Sequence, residues 1–411
     1  MEARIARWLV VYRHLWLSLA LVLTAALAYG AKNLWFDNDY RIFFRADDPQ
    51  LVANERLQAQ FTRSDNLSFI LAPADGEMFT RENLAAIEWL TAESWKLPRS
   101  IRVDSLSNFQ HTKSVGDELA TSDLIRDAKN YSDAQLAARK RIALGEPLLV
   151  NGLISEKGHV AAVSVKLEIP QHRGEPDKAV PEVMFAAREL RERFKQQYPG
   201  IKTYLTGLIP VNQEFNELAQ RDSATLVPLM FVIVVVLLTM FLRSISGAFV
   251  TVVIITLSLA MAIGFTGWVG YHLNQVNVSA PTIILTLAIS DSVHLLLTYL
   301  EGLGQGQSRA DAMERSLSIN LMPVFFTNFT TAIGFAGLNY SDSPPFREMG
   351  NIAAFGVIGT MFLAFTVLPA VMLWMPVRIK PGMGEEAHWK IIDVICEFAL
   401  RHRKRLMWGT L

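Results

Sequence analysis

LTLAISDSVHLLLTYL, residues 285–300, is apolar enough to lie in a bilayer, yet it carries Asp291 and His294 near its middle. A helix beginning at Val278 places Asp291 about 20 Å along its axis, near the centre of a hydrocarbon layer about 30 Å thick. A charged Asp at that depth costs about 2.5 to 3.5 kcal/mol on insertion scales, so something must offset it. Low dielectric disfavours the charged forms of Asp and His alike. The spacing of three residues puts both on one helix face, and Thr298 continues the stripe four residues later. Such a stripe can take up a proton from one side and release it to the other. The competing role for Asp291 and His294 is interhelical hydrogen bonding.

The rest of the chain supplies company for that helix. Of 411 residues, 51% are hydrophobic and 19% charged, which is too apolar for an ordinary soluble protein and too polar for one embedded throughout. Apolar runs fall at about 15–31, 226–242, 247–269, 278–300, 321–338 and 352–375, giving six expected spans. Arg4, Arg7 and Arg13 precede the first run and Ala26-Leu27-Ala28 resembles a signal-peptide cleavage site, but the run is long for that purpose and is read as a span. The 39 basic and 39 acidic residues cancel, so no nucleic-acid or acidic partner is indicated. Cys396 is the only cysteine, which excludes an intrachain disulfide and a cysteine metal cluster.

Charge placement sets an expected orientation. Arg4, Arg7, Arg13, Arg243, Arg309, Arg315, Arg378, Lys380 and Lys390 all fall in segments on one side, whereas 271–277 has no Lys or Arg and 339–350 only Arg347. The first side is therefore inside, and the long segment 34–222 is exported. The expected division is 1–33 (cytoplasmic start and first helix), 34–222, 223–376 (helices two to six) and 377–411 (basic linker and start of a seventh helix).

Within 34–222 the pattern reads strand (66–72), helix (80–95), strand (101–106), then strand (159–169), helix (181–198), strand (201–206). Two such βαβ halves imply an α+β sandwich of ferredoxin type. An insert at about 110–157 reads as helical through 117–144 and turns back through Glu156-Lys157-Gly158. Residues 212–222 are polar and helical and lead into the second span.

The fifth span brings Thr327, Asn328, Thr330 and Thr331 to a depth where water is scarce. They are candidate partners for the Asp helix, Asn328 and Thr331 foremost; the competing role for the threonines is bonding to their own helix beside Pro323. Gly350, Gly356 and Gly359 in the sixth span read as close helix packing.

Phe36-Asp37-Asn38-Asp39-Tyr40 with Asp47-Asp48-Pro49, Thr327-Asn328-Phe329-Thr330-Thr331-Ala332-Ile333-Gly334-Phe335, Phe346-Arg347-Glu348-Met349-Gly350 and Leu368-Pro369-Ala370 occur in this order. Together with one span, a large exported domain and five further spans, they resemble half of a resistance-nodulation-division transporter of the lipid- and hydrophobe-exporting branch, which includes the MmpL-like and hopanoid exporters. The likeness covers nearly the whole chain. It implies a bacterial inner-membrane exporter with a periplasmic porter domain, and it gives Asp291 the proton-coupling role. One position departs from it: relatives of the lipid-exporting and sterol-sensing kind usually have Gly four residues before the Asp, where this chain has Leu287.

The expected function is proton-driven export of a hydrophobic or lipid-like substrate by the first half of such a transporter, in contact with membrane lipids and with a second half or further copies of itself. A sterol-sensing-like lipid receptor and a SecD-like subunit that assists protein translocation are the alternatives. No phosphate-loop, zinc or nucleophile signature is present, so neither an enzyme nor a cofactor is expected. Arg401, Arg403, Lys404 and Arg405 precede Leu406-Met407-Trp408, and Ala399-Leu400-Arg401-His402 is similar to Val11-Tyr12-Arg13-His14. That weak repeat is read as the start of a second half, or alternatively as an interfacial amphipathic segment.

Overall fold

Tyr12 leaves the helical region (φ −95°, ψ 25°) and so divides the N-terminal helical stretch into α1 (Glu2–Val11) and α2 (Arg13–Ala28). The computed structural model describes residues 1–37, 39–61, 65–115, 117–169, 179–377 and 390–402. Asn38, Arg378, Lys380 and the basic-to-apolar stretch 403–408 lie outside the described residues. The chain divides into two compact units, Met1–Leu34 with Asp222–Leu411, and Trp35–Arg221.

In the unit Trp35–Arg221, α3 (Pro49–Gln60) starts at Asp48, whose carboxylate accepts from the backbone N–H groups of Gln50 and Leu51 at 2.8 and 3.2 Å. β1 (Asn66–Pro73) alternates strictly, turning Leu67, Phe69 and Leu71 into the core. Thr80 caps α4 (Arg81–Ser94), which buries Leu84, Ile87 and Leu90 at helical spacing. β2 (Ser100–Asp104) completes the first half. β3 (Gln110–Val115), β4 (Glu118–Asp123) and α5 (Asp133–Gly145) intervene before β5 (Ala161–Leu167), α6 (Ala179–Gln197) and β6 (Ile201–Thr206) form the second half. The four-stranded sheet runs β2-β5-β1-β6 with every neighbouring pair antiparallel, a split βαβ arrangement of ferredoxin type. Val183, Leu190 and Phe194 of α6 and Leu84 and Leu90 of α4 share one apolar core with Leu67, Phe69, Val163 and Val165.

The insert corrects the sequence reading. Apart from a short 3-10 turn at Ala128–Asn130, helix among the described residues of the insert begins only at Asp133; before it, β3 and β4 form a hairpin in which the Thr112 and Thr121 hydroxyls meet at 3.0 Å. β4 exposes nearly every side chain, so it carries none of the apolar alternation that marks a half-buried strand. The turn at Glu156-Lys157-Gly158 does form: Gly158 has φ +71°, and the Ser155 N–H donates to the Val160 carbonyl at 3.0 Å as the chain returns toward β5.

α7 (Leu208–Leu242) contributes residues to both units and is followed by α8 (Ile245–Val269), α9 (Ala280–Gly304), α10 (Arg309–Ala336), α11 (Pro344–Trp374) and α12 (Lys390–Arg401). Among the described residues six helical stretches are long and apolar enough to cross a membrane: Arg13–Asn33, Leu208–Leu242, Ile245–Val269, Asn277–Gly304, Arg309–Tyr340 and Pro344–Trp374. α11 is the most buried and packs on α8, α9 and α10. α2 meets α8 almost backbone to backbone. A Cβ on Gly264 would collide with the Leu27 carbonyl, and one on Gly267 with the Gly30 carbonyl, so side chains there would force the two helices apart.

Candidate functional site: a carboxylate between two membrane helices

The buried positions of α9 include Ile284, Ala288, Asp291, Ser292, Leu295 and Tyr299, and those of α10 include Ser316, Asn320, Val324 and Asn328. On α10 these lie four residues apart, which keeps them in one slowly drifting row facing α9. Asp291 is 2% exposed and Asn328 wholly buried. The Asn328 amide Nδ2 donates to both Asp291 oxygens at 2.9 Å and to the Val324 carbonyl at 2.9 Å. An amide nitrogen has only two hydrogens, so one is shared. On the other side of the same amide, Asn328 Oδ1 is buried with no partner among the described residues. Among the described residues, a carboxylate removed from water thus has one neutral donor group and no cation in contact with it, and the arrangement retains an idle acceptor beside it.

A second polar rung lies further along α9 and α10. Asn320 Nδ2 donates to Thr298 Oγ1 at 3.0 Å and to the Ser316 carbonyl at 2.9 Å, while Ser316 Oγ donates to the Leu295 carbonyl at 2.6 Å. At the opposite end of α9, the buried Asn274 and Asn277 amides donate to Glu348 Oε2 at 2.9 and 3.2 Å, tying the turn before α9 to the start of α11. Asn320, Ser316, Asn274 and Asn277 escaped the sequence reading. The four-residue spacing of Ser316, Asn320 and Asn328 through an apolar helix was the available signal.

The remaining candidates distribute unevenly. Thr298 joins the second rung, but His294 is exposed and lies outside the contact that holds Asp291. Asp291 sits at the margin of the buried stripe, and a three-residue step turns a helix about 60° short of a full circle, which carries His294 beyond that margin. Thr330 is exposed and Thr331 half-buried, and their hydroxyls donate to their own helix, to Phe326 O at 2.7 Å and Thr327 O at 2.7 Å respectively. Neither hydroxyl bonds Asp291, because each is spent on a carbonyl of its own helix. Thr327 likewise donates to the Pro323 carbonyl at 2.9 Å. Gly350 and Gly356 are close-packing positions: a Cβ would strike the Phe335 carbonyl at the first and Ile284 at the second. Gly359 is not, since its Cβ would meet Met261 Cε at an ordinary 3.6 Å.

A bundle of apolar helices around a buried carboxylate, joined to an α+β unit inserted after the first helix, defines an integral membrane protein of the transporter type. Residues 43–395 match the MMPL family, and the chain belongs to that family, whose named transporters are of the resistance-nodulation-division type. It is similar to the siderophore exporter MmpL5 of Mycobacterium tuberculosis, 25% identical over 56% of this chain and 24% of the relative. The hopanoid transporter HpnN of Rhodopseudomonas palustris is 24% identical over 58% of this chain and 27% of its own length. A putative membrane protein of Methanocaldococcus jannaschii, MJ1562, is 22% identical over 44% of this chain and 47% of its own. The matched part of this chain therefore spans a quarter to a half of each of these relatives.

Proposed function

We propose that the chain acts as the first half of a proton-driven exporter of a hydrophobic or lipid-like substrate, in a bacterial inner membrane with 34–222 as its periplasmic porter-like domain. The observation that carries this reading is the Asp291–Asn328 pair, in which one amide nitrogen spans both carboxylate oxygens and leaves its own oxygen idle. Ionised Asp291 needs donors, and Asn328 Nδ2 supplies them. Protonated Asp291 is itself a donor and needs an acceptor, and a turn of the Asn328 amide presents Oδ1. One side chain thereby serves both protonation states, which is what a group that loads and unloads protons inside hydrocarbon requires. Movement of α9 against α10 between those states would be passed to the turn before α9 through Asn274, Asn277 and Glu348. Thr298 and Asn320 extend the polar path along the same interface.

Asp291→Asn keeps the shape and hydrogen bonding of the site but cannot exchange a proton. In vesicles carrying the transporter with both halves, this variant should insert and fold like the wild type while losing efflux driven by an imposed pH gradient. Gradient-dependent efflux at the wild-type rate would return Asp291 to a structural contact.

A further inference from the structure

α1 has two opposed faces. Ala6, Leu9 and Val10 are buried in the apolar core of the membrane unit, with α10 as the main neighbour. Arg4, Arg7, Trp8 and Val11 recur at three- and four-residue spacing and form one exposed stripe on the other side. Trp8, Val11 and the adjoining Tyr12 are 48%, 58% and 51% exposed. Neither Arg4 nor Arg7 has a hydrogen-bond or ion-pair partner among the described residues, whereas Arg41, Arg81, Arg188 and Arg193 of the other unit are all paired. Glu2, the one acidic residue of α1, lies off the stripe.

The elbow after α1 adds a second observation. Arg13 turns Nη1 back onto the Val10 carbonyl at 3.3 Å, while its Nε is shielded from solvent with no partner among the described residues. Trp16 packs edge-on against Trp8 with ring centres 4.8 Å apart, and His14 lies 5.2 Å from the ring of Trp374. A guanidinium donor shielded from water without an acceptor is costly, and this one sits where α1 meets the first membrane helix.

A face turned wholly to water has no reason to display Trp8, Val11 and Tyr12 together, and one sunk in hydrocarbon cannot hold Arg4 and Arg7. The boundary between acyl chains and headgroups accommodates both, with the rings at the acyl edge and the guanidiniums among phosphates. We infer that the outward face of α1, together with Arg13 at its elbow, is a binding site for the headgroups of anionic phospholipids. Guanidinium forks match phosphate oxygens, and the absence of a carboxylate in the stripe leaves them free to do so. The site depends only on the placement of the helices in a membrane, and not on proton coupling or export.

The test uses the full chain in nanodiscs of phosphatidylcholine with phosphatidylglycerol, and reads the relative association of spin-labelled forms of the two lipids. A photoactivatable phosphatidylglycerol then maps where the lipid sits. Each Arg near an anionic surface contributes roughly a fivefold preference. Wild-type chain should favour phosphatidylglycerol and crosslink it within residues 1–16. R4Q/R7Q should lose both the crosslink and most of the preference, R4K/R7K should keep most of each, and added inorganic phosphate should displace neither. Crosslinks that avoid α1, retention of the preference in R4Q/R7Q, or displacement by inorganic phosphate would overturn the assignment. Because the mapping is made on the wild type, the result stands even if R4Q/R7Q inserts poorly.

Discussion

Two buried polar clusters, one in each unit, are built in opposite ways. In Trp35–Arg221 the interior polar cluster is a closed ring of hydroxyls: Thr91 to Ser105 at 2.9 Å, Ser105 to Ser107 at 2.8 Å and Ser107 to Thr91 at 3.0 Å. Each member is neutral and bonded to the next. Charges in that unit pair near water, as in Arg188 with Glu214 and Glu217 at 2.7 and 2.9 Å. In the membrane unit a carboxylate is buried instead, and its amide partner leaves one oxygen unmatched. A closed ring of hydroxyls is satisfied without any change of charge and serves structure. An open pair keeps an unused acceptor beside the carboxylate, which under the proposed function receives the proton of the neutral acid.

The largest effect should come from Asn328→Leu, which removes the only hydrogen-bond partner of the Asp291 side chain among the described residues. A hydrogen bond to a buried ionised group contributes about 1.5–3 kcal/mol. Gradient-driven efflux in vesicles should then fall at least about a hundredfold, the equivalent of roughly 2.7 kcal/mol. Asn328→Gln, which retains both donor and acceptor, should recover part of the flux. Equal flux in wild type and Asn328→Leu would make the open pair as structural as the hydroxyl ring.

Much of this contrast is legible before any coordinates. The strands around Phe69 and Val163 announce themselves because one face is buried, and the split βαβ order follows from two strand–helix–strand runs. Asp291 and Asn328 stand out because ionisable and amide groups are rare in apolar runs. The β3–β4 hairpin hides because both of its faces are polar, which leaves no period to read. His294, Thr330 and Thr331 mislead for a different reason: sequence spacing gives the angle between two residues on a helix but not where the buried stripe ends. Only neighbouring helices fix that margin: Asp291 and Asn328 fall inside it, His294 and Thr330 fall outside, and Thr331 is half-buried with its hydroxyl spent on its own helix.

Phe194 tests the independence of the closed core. Its ring is fully buried and lies 5.1 Å from Tyr198 and 6.1 Å from Trp89. Phe194→Ala should destabilise Trp35–Arg221 by about 3–5 kcal/mol through lost burial and the cavity left behind. Hydrogen exchange on the full chain should show faster opening of β1, β5 and α6 and little change in α9 and α10. Comparable acceleration in α9 would mean that the two units share one cooperative core.

The smallest effect concerns a surface ion pair, and its sign is fixed by linkage. Lys140 Nζ donates to Glu77 Oε1 and Oε2 at 3.0 and 2.7 Å, and the Phe79 N–H donates to the same carboxylate at 3.1 Å. The hydrogen bond from Lys140, with the smaller help of Phe79, holds the Glu77 carboxyl below its ordinary range against a partial opposing effect of burial. A carboxyl depressed in the folded state binds fewer protons there than in the unfolded chain. Its contribution is therefore complete above the unfolded value and is lost as pH falls through the folded one. Both side chains are partly exposed, at 34% and 43%, so solvent screening limits the pair to about 0.5 kcal/mol. Lys140→Met should lower the stability of Trp35–Arg221 by that amount at neutral pH and by nearly nothing once Glu77 is protonated in acid, read as the difference in hydrogen-exchange protection of β1 amides across that range. A deficit that stayed constant with pH would show that the Lys140 ammonium acts on the Phe79 ring, whose centre lies 5.9 Å from Nζ, and not through the Glu77 carboxylate.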